Sequence, residues 1–436
     1  MSRIIPDIVR GAAELPSEAD IVIIGGGIIG VSAAYYLARR GKRVVVCEKG
    51  LIGAEQSSRN WGWVRQMGRD VAEIPLAMRS LELWRGLNAE LGAETGYRQT
   101  GISYLCRNDR ELEEYREWVK IALDFGIDTR LVSRDETMDM LPGMREPFVG
   151  GMYTASDGRA EPTLTAPALA QAAERLGATI VPNCAVRGIE QSGGAVSAVV
   201  TERGVVRTRQ LVLAGGAWSR MFARSLGIEL PSLKILGSVA RIDGVSNLPE
   251  MPVGASNFAF RKRIDGGYTV SMRNGNLVPL VPDSFRLFSD FFPQLLTSWR
   301  ELKLRVGRSF FEEAALARTW ALDQETVFER IRVLDPAPKR SWLMKGIRIA
   351  ARAFPELEKA KVTHTWGGLI DSTPDAVPVI GPVAQIPGFF LASGFSGHGF
   401  GIGPASGELI AQMICGEPTG VDPTPFRYER FGRQTA

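Results

Sequence analysis

Three glycines in the spacing Gly25-x-Gly27-x-x-Gly30, set between a β-branched run and a helical pattern, constrain this chain more than any other feature. Ile21-Val22-Ile23-Ile24 reads as a short strand buried on both faces. After the glycines, Val31, Ala34, Tyr35 and Ala38 recur at helical spacing, and Gly41 supplies a stop. Val44-Val45-Val46-Cys47 is a second buried strand, closed by Glu48. The pattern predicts a βαβ unit. The first glycine permits a sharp turn, the second lets the backbone approach a pyrophosphate, and the third lets helix and strand pack closely. Free N–H groups at the helix N-terminus favour phosphate. A carboxylate ending the second strand accepts from ribose hydroxyls and repels a 2′-phosphate. Gly25, Gly27, Ile28, Ile29, Gly30, Glu48 and the adjoining Lys49 are the expected dinucleotide contacts.

The uncharged stretch from Ile21 to Ala38 is about 18 residues, near the length of a membrane span. Its adjacent glycines and its change from strand to helix favour a buried strand-turn-helix instead. The N-terminal MSRIIPDIVRGAAELPSEAD lacks the apolar core of a signal peptide. The 436 residues suggest two or three domains. The 52 basic and 48 acidic residues nearly balance, and no basic tract stands out, which argues against a nucleic-acid partner. Cys47, Cys106, Cys184 and Cys415 form no C-x-x-C pair, and the only histidines are His364 and His398, so no metal site is expected. A reducing cytoplasm fits this cysteine usage, with a peripheral place on the inner face of the membrane as the variant.

Residues from about Val71 to Glu146 read as mostly helical. Thr163 to Leu176 reads as an amphipathic helix, followed by short strands at Thr179–Val181, Ala185–Ile189, Val196–Thr201, Val205–Arg207 and Gln210–Leu213. From Leu233 antiparallel strands are expected, with a hairpin from Arg261 to Met272 around Asp265-Gly266. A last helix is expected from Ser406 to Ile414. The order predicts an α/β fold with an α+β second domain. A Rossmann-like dinucleotide domain (18–70, 151–232 and 345–436) is interrupted by an antiparallel-sheet substrate domain with helices (71–150 and 233–344).

Two features favour FAD over NAD. One is the segment Ser57-Ser58-Arg59-Asn60-Trp61-Gly62-Trp63-Val64-Arg65 after the second strand. The other is Gly394-Phe395-Ser396-Gly397-His398-Gly399-Phe400-Gly401, a second glycine-rich loop before a helix, able to stabilise negative charge on a reduced flavin. Together with the SDGRAEP turn, LAGGAWS and WGGLIDSTPDAVPVIGP, these blocks resemble the FAD-dependent amine and amino-acid oxidoreductases, which include D-amino-acid oxidases and dehydrogenases, glycine oxidase and the sarcosine oxidases.

The resemblance runs in order from about Asp20 to Phe431 and implies specific contacts. Ser57, Ser58, Asn60, Trp61 and Gly62 would line the pyrophosphate and flavin edge. Val186, Ala214, Gly215 and Trp218 would approach the adenine half. Gly394, Ser396, Gly397, His398, Gly399 and Phe400 would surround the pyrimidine ring. It also implies oxidation of the C–N bond of an amino acid or N-substituted amino acid (a D-amino acid, or a sarcosine-like or opine-like one). Hydride passes to flavin N5 and the imine hydrolyses. The alternatives are a flavin subunit of a hetero-oligomeric amine dehydrogenase and a flavin dehydrogenase of a non-amine substrate such as a 2-hydroxy acid.

Such chemistry asks the protein for a carboxylate anchor and apolar walls. The family's D-amino-acid and glycine enzymes carry an arginine five residues before the aspartate that matches Asp375, and Ile370 stands there instead. In the sarcosine oxidases an arginine follows the pyrophosphate-edge segment, and Arg65 matches it. Arg65 is therefore the expected clamp and, with His398, the expected catalytic residue; Arg261 and Arg273 are reserves. Trp61, Trp63 and Trp366 are candidate walls. Gly368 occupies the position of the cysteine that tethers flavin in monomeric sarcosine oxidases, which implies non-covalent FAD. No lysine stands by Tyr268-Thr269-Val270, which tilts the acceptor from O2 toward a quinone or another carrier. The stretch Phe285 to Trp299, with Arg300, Lys303, Arg305 and Arg308 behind it, is read as a helix packed on the substrate domain in preference to a membrane-surface helix.

Overall fold

The computed structural model describes residues 4–273, 275–298 and 302–432. Strand Ile21–Ile24, helix Ile28–Ala38 and strand Val44–Cys47 form the βαβ unit at the expected bounds. Ile21–Ile24 lies mid-sheet, parallel to Val44–Cys47 on one side and to Gln210–Leu213 on the other. Thr179–Val181 extends one edge of the sheet, and Phe389–Ser393 with Val379–Pro382 extends the other. Strands buried on both faces explain the near-continuous Val, Ile and Leu runs. Helix Ile28–Ala38 is buried throughout, against helices Pro162–Arg175 and Gly399–Cys415.

The second large sheet, ten strands among the described residues, is built around the long strand Leu233–Asp243. This strand pairs antiparallel with Tyr268–Ser271 and, along its length, with Lys361–Ser372. The expected hairpin is Ala259–Lys262 with Tyr268–Ser271. The sheet is not purely antiparallel, because Val253–Gly254 runs parallel to Ser103-Tyr104 and Asn276–Leu280 runs parallel to Leu302–Val306.

Further sequence readings change. The region read as mostly helical holds strands Ile102–Cys106 and Thr129–Ser133, which pair on either side of Gly150–Thr154. Their side chains are sheltered by the charged helix Asp109–Asp124, whose strong helical pattern masked them. The last helix starts at Gly399 rather than Ser406, because its glycine-rich turns pack against neighbouring chain that leaves no room for larger residues. The helix expected from Phe285 is divided at Leu287 into Pro282–Arg286 and Phe288–Ser298. Its apolar side faces outward: Phe285 is 63 % exposed, Phe288 54 % and Leu296 63 %. Trp299 and Arg300 lie outside the described residues. His364 lies half-buried on strand Lys361–Ser372.

Among the described residues no helix is long and apolar enough to cross a membrane, and no cluster of ligating side chains suits a metal ion.

Candidate active site

The turn after Ile21–Ile24 depends on two glycines. Gly25 has φ +108°, and a Cβ there would lie 2.4 Å from the Ala214 carbonyl oxygen. A Cβ on Gly30 would lie 2.0 Å from the Gly25 carbonyl oxygen, so helix and turn meet only without a side chain. Gly27 caps the helix without a side chain, and the Ser57 hydroxyl accepts from Ile28 N at 2.9 Å.

These elements bound a cavity of about 1190 Å³. Gly25, Gly27, Ile28, Ile29, Glu48, Lys49, Ser57 and Asn60 line it from the N-terminal unit. Val186, Ala214, Gly215 and Trp218 line it from the middle of the chain, and Gly397, Gly399 and Phe400 from the last helix and the loop before it. Glu48 accepts from Gly26 N and Gly50 N, each at 2.7 Å. Burial raises its carboxyl pKa, opposed by Lys49 and these two donors. Lys49 bonds Glu55 at 2.6 Å, and its ammonium lies 4.7 Å from the Trp218 ring centre.

A glycine cradle, a helix N-terminus and a carboxylate at the strand end fit the dinucleotide of FAD. Replacing Glu48 by Ala should weaken FAD binding by about 1.5–3 kcal/mol, the cost of a charge-assisted hydrogen bond. Titration of apoprotein with FAD measures this, and equal affinity in wild type and variant would refute the assignment.

A second cavity of about 1060 Å³ shares Gln56, Asn60, Gly397 and Phe400 with the first. Arg65, Arg273, His398, Ile370, Ser396, Trp61 and Trp63 line it, as do Arg69 and Tyr104. The Arg65 guanidinium donates to the Met67 carbonyl, and its centre lies 5.8 Å from the Tyr104 ring. That of Arg273 lies 4.0 Å from the same ring. His398 Nδ1 is 2.8 Å from Glu73 Oε2. Burial, then the Arg69 charge, lower the histidine pKa, so the ring is neutral at pH 7. Nδ1–H then donates to Glu73, which leaves Nε2 as an acceptor.

Several expected contacts have other places. Arg261, expected as a reserve clamp, lines neither cavity; its fully buried guanidinium bonds Glu161 at 2.7 and 3.0 Å and donates to the Trp61 carbonyl. Gly62 packs against the Ala160 carbonyl and Arg261. Ser58 is buried and donates to the Glu55 carbonyl at 3.3 Å. Gly394 donates to Asp371 at 2.6 Å, which fixes the loop without lining either cavity. Trp61 lines the second cavity rather than the first, and Trp366 is buried with its indole N–H on the Arg59 carbonyl at 3.0 Å.

Sequence reasoning missed Arg69, Glu73, Tyr104 and Asp157. Arg69 carried a weak signal, four residues after Arg65; the others reach the site through tertiary folding. Asp157 accepts from Gln66 N at 2.8 Å and Met67 N at 3.3 Å, which holds the segment after Arg65. Burial pushes its pKa up to about 7 from an ordinary 3.8. Between these values the folded chain holds a proton that the unfolded chain has lost, so this group's contribution to stability falls as pH rises. Asp157→Asn should remove a slope of about 1.4 kcal/mol per pH unit across that window. Urea denaturation of both proteins from about pH 4.5 to 7 measures the difference, and parallel curves would refute it.

Residues 20–413 match the family described as DAO, FAD dependent oxidoreductase, and the chain belongs to that family. The solved L-amino acid deaminase from Proteus myxofaciens, in complex with anthranilate, is 33 % identical with a TM-score of 0.95, covering 99 % of this chain and 98 % of that one. Glycine oxidase of Pseudomonas putida is 26 % identical over 94 % of this chain and 98 % of its own length. Mouse mitochondrial sarcosine dehydrogenase is 26 % identical over 96 % of this chain, which spans only 42 % of that protein.

Proposed function

We propose that the chain oxidises the Cα–N bond of an L-α-amino acid to an imine that hydrolyses to a 2-oxo acid and ammonia. The observation that carries this reading is the junction of an arginine-lined cavity with the dinucleotide cavity at Gln56, Asn60, Gly397 and Phe400. The L series follows the Proteus deaminase, a likeness that covers both chains almost fully. The first cavity, with Gly25, Gly27, Glu48 and Ser57 in its lining, would hold FAD, which would supply the hydride acceptor for the substrate Cα–H. Arg65 holds the α-carboxylate through its guanidinium fork, with Arg273 beside it. His398 Nε2 takes a proton from the substrate ammonium, and Glu73 holds the ring in the required tautomer. Trp61, Trp63 and Tyr104 supply the walls.

Anaerobic mixing of the holoenzyme with L-, D- and N-methyl amino acids tests the reading. Bleaching of the flavin by L-amino acids supports it. Bleaching only by D- or N-methyl compounds, or by 2-hydroxy acids, overturns it. Bleaching only with a partner chain present would favour the hetero-oligomer, in keeping with relatives named sarcosine oxidase subunit beta. Gly368 lines the second cavity where a tethering cysteine would stand, so acid precipitation should release all the FAD. A pellet that retains flavin would refute non-covalent binding.

The acceptor reading favours a quinone over O2. No lysine is among the described residues lining the second cavity, and the outward Phe285, Phe288 and Leu296 offer a surface for a membrane. Rapid peroxide release in air, with no binding to anionic vesicles, would overturn it.

A further inference from the structure

With the α-carboxylate on Arg65 and Arg273 beside it, a third arginine of the second cavity, Arg69, has no assigned role. A single α-carboxylate needs one guanidinium fork. Arg65, Arg69 and Arg273 all line the second cavity, and no Asp or Glu is among its described lining residues. Arg59 also lines it but bonds Asp335 at 2.6 Å and the Gly367 carbonyl at 2.8 Å. Arg69 is 4 % exposed, and its Nη1 is buried with no hydrogen-bond partner. Its Nε donates to the Arg65 carbonyl at 3.3 Å. Burial brings its pKa down to about 10, so it stays charged at neutral pH. Glu73 bonds His398 through Oε2 and Asp157 accepts from backbone N–H groups; both carboxyls act on the Arg69 charge, but neither hydrogen-bonds its guanidinium, and Glu73 Oε1 is likewise buried without a partner. A buried guanidinium with an unmet donor beside a ligand cavity is stabilised by an anion that enters with the ligand.

We propose that the substrate carries a second anionic group, a side-chain carboxylate of the kind in aspartate or glutamate, and that Arg69 receives it. The proposal rests on the amino-acid reading and extends it to the substrate side chain. Arg69 is then a specificity residue, and a neutral side chain leaves its Nη1 without a hydrogen-bond partner.

The test is isothermal titration of the holoenzyme with glutarate and with pentanoate, acids of equal chain length, at one ionic strength. Glutarate should bind at least about tenfold more tightly, and Arg69→Gln should reduce that ratio below about threefold. Should that variant not fold, Arg69→Lys should still lower the ratio, since an ammonium lacks the fork. Equal binding, tighter pentanoate, no binding of either acid, or an unchanged ratio in the folded variant overturns the proposal. In the bleaching assay L-glutamate should outpace L-glutamine at least about tenfold in kcat/KM. Glutamate that binds without bleaching, while neutral amino acids bleach, overturns the second anion as part of the substrate. If no amino acid bleaches the flavin, the amino-acid reading fails, and the glutarate titration still judges Arg69 on its own.

Discussion

Arg65→Ala should lose about 2–5 kcal/mol in kcat/KM toward carboxylated substrates, the cost of removing one partner of a buried charge pair. Arg65→Lys should raise KM strongly, because a point charge does not reproduce two parallel hydrogen bonds. The loss should be selective: amines without a carboxylate should suffer little, and flavin content should stay normal. The selectivity matters because Arg65 also bonds the Met67 carbonyl and so has a part in local structure. Equal losses for carboxylated and decarboxylated substrates would make it structural, with Arg273 the next candidate.

Arg261→Leu should cost about 3–5 kcal/mol of stability, since it leaves the buried Glu161 carboxylate with only the Arg263 guanidinium at 3.8 Å and the Ile264 N–H at 2.8 Å. The double variant with Glu161→Leu should recover most of that loss, because a buried pair replaced by apolar groups is often near neutral. Equilibrium denaturation of both variants measures this. A single variant as stable as wild type, or a double variant no better than the single, would show that the pair does not brace the fold. The residual folded single variant should keep the wild-type KM, in line with a guanidinium that reaches neither cavity.

The dinucleotide half was legible because its constraints are local. Gly25, Gly27, Gly30 and Glu48 lie within one βαβ unit, where strand, turn and helix each have a period or a steric need visible in sequence. Arg65 and His398 were legible through ordered motif blocks. Glu73 and Asp157 were not, because a helix-start glutamate and a turn aspartate carry no local mark of the partners that folding brings them. Arg261 shows the reverse error: an arginine on a floor strand resembles a ligand until its buried carboxylate is found. Strands Ile102–Cys106 and Thr129–Ser133 were hidden for a similar reason, as the helix between them dominates the pattern.

The six-stranded sheet draws on distant parts of the chain. Strand Ile21–Ile24 sits beside Gln210–Leu213, which pairs in turn with Phe389–Ser393. Helix Gly399–Cys415 closes over the first helix. During synthesis the glycine turn at Gly25 emerges early yet cannot complete its cradle until Ala214, and then Phe400, have left the ribosome. Such non-local pairing makes assembly slow and leaves apolar strand edges open for most of translation. A ribosome stalled just before Phe389 would therefore carry a nascent chain with its nucleotide motif intact and no capacity to retain flavin, a natural client for chaperones.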